Sequence, residues 1–165
     1  MKKSLFVLLG FLFVASASFA QKAPASPTIT TESENVKVVY GQPSKKGREI
    51  FGSLVPFGQV WRTGANAATE VTFKKDVNFA GTKVKAGTYS LFTIPSSTEW
   101  TVILNSELKQ WGAYEYDKIK GKNVAEVKLP VRGTEGVMEK LSITASDSQI
   151  AIEWDNARVM IPLKW

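Results

Sequence analysis

Residues Thr88–Asn105, TYSLFTIPSSTEWTVILN, decide the fold. A β-branched and aromatic run, Thr88 to Ile94, stops at Pro95-Ser96-Ser97, a turn. Trp100, Val102 and Leu104 then share one side of the next run, which stops near Asn105-Ser106. Period-two patterning broken by Pro, Ser and Asn is the signature of short antiparallel strands. The same signature extends outward in both directions. Upstream, Asn35–Tyr40 is a β-branched run ending at Gly41, and Glu70–Lys74 alternates Val71 and Phe73 with polar neighbours. Downstream, strands are predicted at Val124–Leu129, Leu141–Ala145, Ile150–Trp154 and Val159–Leu163. Asp155-Asn156-Ala157 separates the last two and predicts a closing hairpin. Pro162 cannot donate to a ladder, which predicts that its strand lies at an edge or ends there. No stretch has helical amphipathicity; Arg48–Leu54 and Ser106–Trp111 could hold a turn or two. The pattern predicts an all-β domain, an antiparallel β-sandwich rather than a closed barrel. Its core should include Val38, Val71, Phe73, Leu91, Trp100, Val102, Leu104, Ile150, Ile152 and Trp154.

The N-terminus reads differently. Lys2 and Lys3 precede an apolar run from Leu5 to Val14, broken only by Gly10, and small residues lead to Ser18-Phe19-Ala20. This is the pattern of a secretory signal peptide, too short to span a bilayer. Cleavage is expected after Ala20, with Ala15-Ser16-Ala17 as a second possible site. The expected organisation is a signal peptide over residues 1–20, a Pro/Ala/Ser-rich flexible leader over 21–27 and one sandwich domain over 28–165. An exported protein of the periplasm or cell exterior follows, with no membrane span after cleavage.

Two absences narrow the chemistry. Without cysteine there is no disulfide, thiolate nucleophile, sulfur-ligated zinc or lipid-anchoring cysteine. Without histidine there is no Ser-His-Asp triad and no ordinary neutral-pH base. Nor is there an Asp-rich calcium loop, so no metal or cofactor is expected. The formal charge of +6 falls to +4 without Lys2 and Lys3, and it is spread along the chain. Nucleic acid, which needs a concentrated basic face, is not an expected partner. A small anionic or carbohydrate ligand is the better candidate, and the oligomeric state stays open.

One segment does not behave like scaffold. Residues Gln42–Thr69, QPSKKGREIFGSLVPFGQVWRTGANAAT, lack clean alternation yet carry Phe51, Leu54, Val55, Phe57, Val60 and Trp61. A solvated loop would not hold so many apolar groups, so a long ordered loop packed over one end of the sandwich is expected. Arg48, Arg62 and Asn66 project from this greasy setting. A guanidinium fork and an amide could form an anion or carboxylate pocket. Alternatively Arg62 braces loop carbonyls or a carboxylate such as Glu70, and Asn66 occupies a left-handed turn after Gly64.

These same residues carry a family resemblance. KGREIFGSLVPFGQVWRTGANAAT, then AGTYSLFTIP (86–95), EWTVILN (99–105) and WGAY (111–114), resemble the DUF2911 family, bacterial proteins common in Bacteroidota. Ala67 stands where members often carry an acidic residue, which weakens any role needing a carboxylate there. The resemblance implies an exported all-β domain and no particular activity.

Trp111, Tyr114 and Tyr116, in WGAYEYD, could stack on sugar rings, or Trp111 could plug the core with the tyrosines covering it. An acid/base pair for glycoside hydrolysis could draw on Glu49, Glu70, Glu99, Glu115 or Asp117, and a Ser–Lys dyad on Ser44 and Lys46. No spaced signature supports either. The sequence therefore favours a binding or interaction domain using Arg48, Arg62 and Asn66. The alternative is a hydrolase acting on envelope or dietary glycans.

Overall fold

The hairpin that anchored the sequence reading lies at the centre of the larger sheet. In a computed structural model, which describes residues 26–165, β6 (Gly87–Ile94) and β7 (Glu99–Asn105) pair antiparallel with Leu91 opposite Leu104 and Thr93 opposite Val102. On the β6 side follow β3 (Thr69–Phe73), β2 (Val36–Gly41) and β1 (Thr28–Glu32); on the β7 side lies β8 (Asn123–Pro130). A second, four-stranded sheet contains β4 (Val77–Phe79), β5 (Thr82–Val84), β9 (Arg132–Ala145) and β10 (Gln149–Lys164), in the order β5-β4-β10-β9. The protein is an antiparallel two-sheet sandwich, not a barrel. The predicted signal peptide and residues 21–25 of the leader lie outside the described residues.

Between the sheets, all ten residues expected in the core are buried, joined by Ile143, Val159 and Ile161 from the smaller sheet. Unlike an ordinary half-buried strand, β6 and β7 are covered on both faces. Phe92 and Ile103 point to the outer face, where they pack under Tyr116 and Ile119 of α1 (Tyr116–Ile119). That one turn of helix was expected at Arg48–Leu54 or Ser106–Trp111 instead. It forms later because Tyr116 and Ile119, three apart on a helix, share one face and seal this second apolar patch.

Two expectations concern the C-terminal strand. Asp155-Asn156 turns the chain as expected: Leu163 N–H donates to Ser148 O at 2.8 Å and Arg158 pairs with Glu153, so the two halves of β10 lie antiparallel to each other, with register shifts against β9 on both sides of Asp155. Asp155 takes φ +53, as a tight hairpin turn requires, and its carboxylate lies against the Lys45 ammonium rather than in water. An earlier reversal, at Ser146-Asp147-Ser148, joins β9 to β10, with Ser146 N–H donating to Gln149 O at 2.9 Å. The half of β10 that carries Pro162 does not lie at an edge, since it sits between β4 and the first half of β10, but it ends two residues later, at Lys164. Pro162 is tolerated because β9 pairing has ended by Arg158, and Pro162 supplies only a carbonyl, to Ala80 N–H. The short strands β1, β4 and β5 lacked a sequence signal because each is brief and partly polar.

The 42–69 segment packs down over the sandwich. Phe51 lies with its ring centroid 4.9 Å from that of Trp100, and Trp61 stacks on Trp154 at 5.9 Å. Such aromatic pairs contribute ~0.5–1.5 kcal/mol each beyond the area they bury. Leu54 and Phe57 from the same segment remain exposed.

Candidate functional site

Among the backbone bonds that hold the loop, three sets position its polar side chains. First, Lys45 N–H donates to Glu139 O and Leu141 N–H to Pro43 O, fastening the start of the segment to β9. Second, Trp61 exchanges both backbone bonds with Thr93, at 2.7 and 2.9 Å, taking the place beside β6 where β3 has not yet begun. Third, Ala65 N–H donates to Gly41 O at 3.1 Å. That approach is so close that a Cβ on Gly41 would lie 2.1 Å from Ala65 O.

Between the second and third anchors, WRTGAN folds on itself. Thr63 is fully buried at φ +55, a conformation that β-branched residues adopt only when their surroundings demand it. Its hydroxyl meets that of Thr93 at 3.1 Å, its carbonyl accepts from the Thr69 hydroxyl at 2.8 Å, and Trp61 Nε1 donates to Gly64 O at 3.1 Å. Asn66 stands at φ +65, in the left-handed turn, and its Nδ2 donates to Ser26 O. The turn also joins the WGAY stretch: Gly112 N–H donates to Asn66 O and Ala68 N–H to Gln110 O.

Arg48, Arg62 and Asn66 line one cavity of about 330 Å³, walled by Trp61, Trp154 and Leu54. No carboxylate is among its lining residues. Arg48 is partly committed to the loop, donating from Nε to Lys45 O at 2.9 Å and from Nη2 to Ser44 O at 2.6 Å. Arg62 is not: its Nε is buried and has no hydrogen-bond partner among the described residues. The Glu70 carboxylate, the brace considered from sequence, accepts from the Lys109 backbone N–H instead.

The three aromatic candidates separate. Tyr116 is corrected as a ligand residue: it is buried against Phe92, and its hydroxyl accepts from Asn123 Nδ2 at 2.8 Å. Trp111 and Tyr114 are 68% and 79% exposed, so neither plugs nor covers the core. Trp111 borders a groove of about 550 Å³ together with Tyr40, Asn66 and Glu70. Single aromatic residues carry no periodicity to show which face they take.

The carboxylates considered for hydrolysis are scattered. Glu99, Glu115 and Asp117 are paired at the surface with Lys128, Lys118 and Lys120. Only Glu49 shares a groove, of about 600 Å³, with a second carboxylate, that of Asp155. Asp155 and its partner Lys45 escaped the sequence reading because 110 positions separate them. Of the Ser44–Lys46 dyad, Lys46 sits at an exposed turn with φ +49. Among the described residues, no group of three or more His, Cys, Asp or Glu could hold a metal ion, and no helix is long and apolar enough to cross a membrane.

The structure thus defines a class: an antiparallel β-sandwich carrying a cationic, aromatic-walled cavity built by one long ordered loop. The chain belongs to the DUF2911 family, described as proteins of unknown function, whose model matches residues 22–163. No curated protein and no solved structure matches the chain.

Proposed function

We propose that this chain is an exported binding domain of the periplasm or cell surface, whose 42–69 loop takes a small anionic ligand on Arg62. The observation that carries this reading is the Arg62 guanidinium, with Nε buried and unpartnered in a cavity that lacks a neutralising carboxylate. A buried donor left without an acceptor costs ~1–3 kcal/mol, which an incoming carboxylate or phosphate oxygen would recover. The guanidinium fork suits paired oxygens, and the indole walls from Trp61 and Trp154 lower the local dielectric and strengthen the bond. Arg48 adds charge more than a free fork, since Nε and Nη2 already hold loop carbonyls.

Thermal shift with acetate, succinate and inorganic phosphate tests the proposal on wild type, Arg62→Lys and Arg62→Ala. Saturation at ~100 times Kd should stabilise the wild type by ~2.7 kcal/mol. Arg62→Lys keeps the charge but loses the fork, so it should melt as wild type does while losing most of the ligand shift. No shift with any anion, combined with a strongly destabilised Arg62→Ala, would make Arg62 a structural brace.

A further inference from the structure

The groove on the other side of Arg48 has a different chemistry, and we infer that it is a second ligand site, for a neutral hydroxyl-rich ring such as a saccharide unit. Its volume is about 600 Å³, and Lys45, Arg48, Glu49 and Asp155 all border it. Two cations there face two carboxylates, whereas the Arg62 cavity has two arginines and none. An ion of either sign entering the groove meets a like charge; a neutral polar molecule does not.

The key pair is Lys45 and Asp155. Asp155 is only 8% exposed, and its Oδ2 accepts from Lys45 Nζ at 2.7 Å. Its Oδ1 is buried with no partner among the described residues, so a carboxylate oxygen lacks a donor at the wall of an open groove. An ammonium carries three donors, and one of them is used on Asp155. The pair therefore offers an acceptor and a donor side by side. Vicinal hydroxyls present the complementary arrangement, one donating to the carboxylate while its neighbour accepts from the ammonium. Both partners are held from the backbone: Lys45 N–H bonds Glu139 O, and the Asp155 carbonyl accepts from the Thr134 hydroxyl at 3.2 Å.

The remaining wall fits the same ligand. Phe57 borders the groove and is 44% exposed, an aromatic face with no core to serve. The C–H face of a sugar ring would cover such a surface while its hydroxyls reach the ion pair. Trp100 also lines the groove, placing an intrinsic fluorophore at the site.

Isothermal titration and tryptophan fluorescence with cellobiose, maltose and chitobiose provide the test. At least one disaccharide should bind at millimolar concentration and perturb the emission. Phe57→Ala and Asp155→Asn should each weaken it about tenfold or more, as loss of a central contact does. Arg62→Lys should leave saccharide binding unchanged, which separates this site from the anion cavity. Should Asp155→Asn unfold, Phe57→Ala decides, because Phe57 is half-exposed and its removal leaves the core intact. Failure of all three disaccharides to bind, or binding that survives Phe57→Ala undiminished, would overturn the inference.

Discussion

Replacing Gly41 with Ala should damage the WRTGAN turn from a strand that carries none of its side chains. The added Cβ would lie 2.1 Å from Ala65 O and 2.9 Å from Ala65 C, both backbone atoms. Ordinary van der Waals contact begins near 3.4 Å, so one of the two segments must retreat by about 1.3 Å. Overpacking of this kind costs ~1–3 kcal/mol. Losing the Ala65 N–H bond to Gly41 O adds ~0.5–1.5 kcal/mol. The stiffer unfolded chain returns ~0.4–1 kcal/mol. A net loss of ~2–3 kcal/mol follows, or ~6–9 °C of melting temperature at about 3 °C per kcal/mol for a domain of this size. Calorimetry on Gly41→Ala and on Gly136→Ala makes the comparison. Gly136 has open space around it and no positive φ, so its variant should melt like wild type. A Gly41→Ala protein melting within ~1 °C of wild type would refute the reasoning, since it would mean that the turn does not press on β2.

Trp100→Ala should cost ~3–5 kcal/mol, read from the guanidinium midpoint, because Trp100 is 1% exposed and packed against Phe51 and edge-on to Trp61. Trp111→Ala, which removes a ring 68% exposed, should stay within ~0.5 kcal/mol of wild type, and equal losses at the two positions would contradict the burial assigned to them. The Ser33 hydroxyl, and then the Asn35 backbone N–H, hold the Asp147 carboxyl below its usual value. A depressed folded-state value stabilises the protein above the ordinary carboxylate range, ~4, and that stabilisation fades as pH falls through the folded value. Asp147→Asn should therefore melt below wild type at neutral pH, with the gap closing in acid; a gap that persists unchanged at pH ~2 would exclude the linkage.

Most of the sandwich was legible in the chain because strand alternation is a local property. Val71 and Phe73, or Trp100, Val102 and Leu104, declare a buried face through their immediate neighbours, and each of them is buried. The 42–69 segment was legible for a related reason: its apolar content is incompatible with a solvated loop, and Phe51 and Trp61 accordingly pack onto Trp100 and Trp154. Arg48, Arg62 and Asn66 lie within nineteen positions, so their meeting at one cavity needed only that the loop close on itself.

What the tertiary structure decided was everything that depends on a distant partner. WGAYEYD contains three aromatic residues of similar hydrophobicity, yet only Tyr116 is buried, because only it meets Phe92 and Asn123. Asp155-Asn156 has the composition of a turn and makes one, but its partner, the Lys45 ammonium, reaches Asp155 from across the fold. The amino-acid sequence determined the strands, the core and the cationic loop through interactions between near neighbours. The exposure of Trp111 and the Lys45–Asp155 groove had to await the packing of one sheet on the other, because a charge or an aromatic face is buried or left open by whatever folds against it.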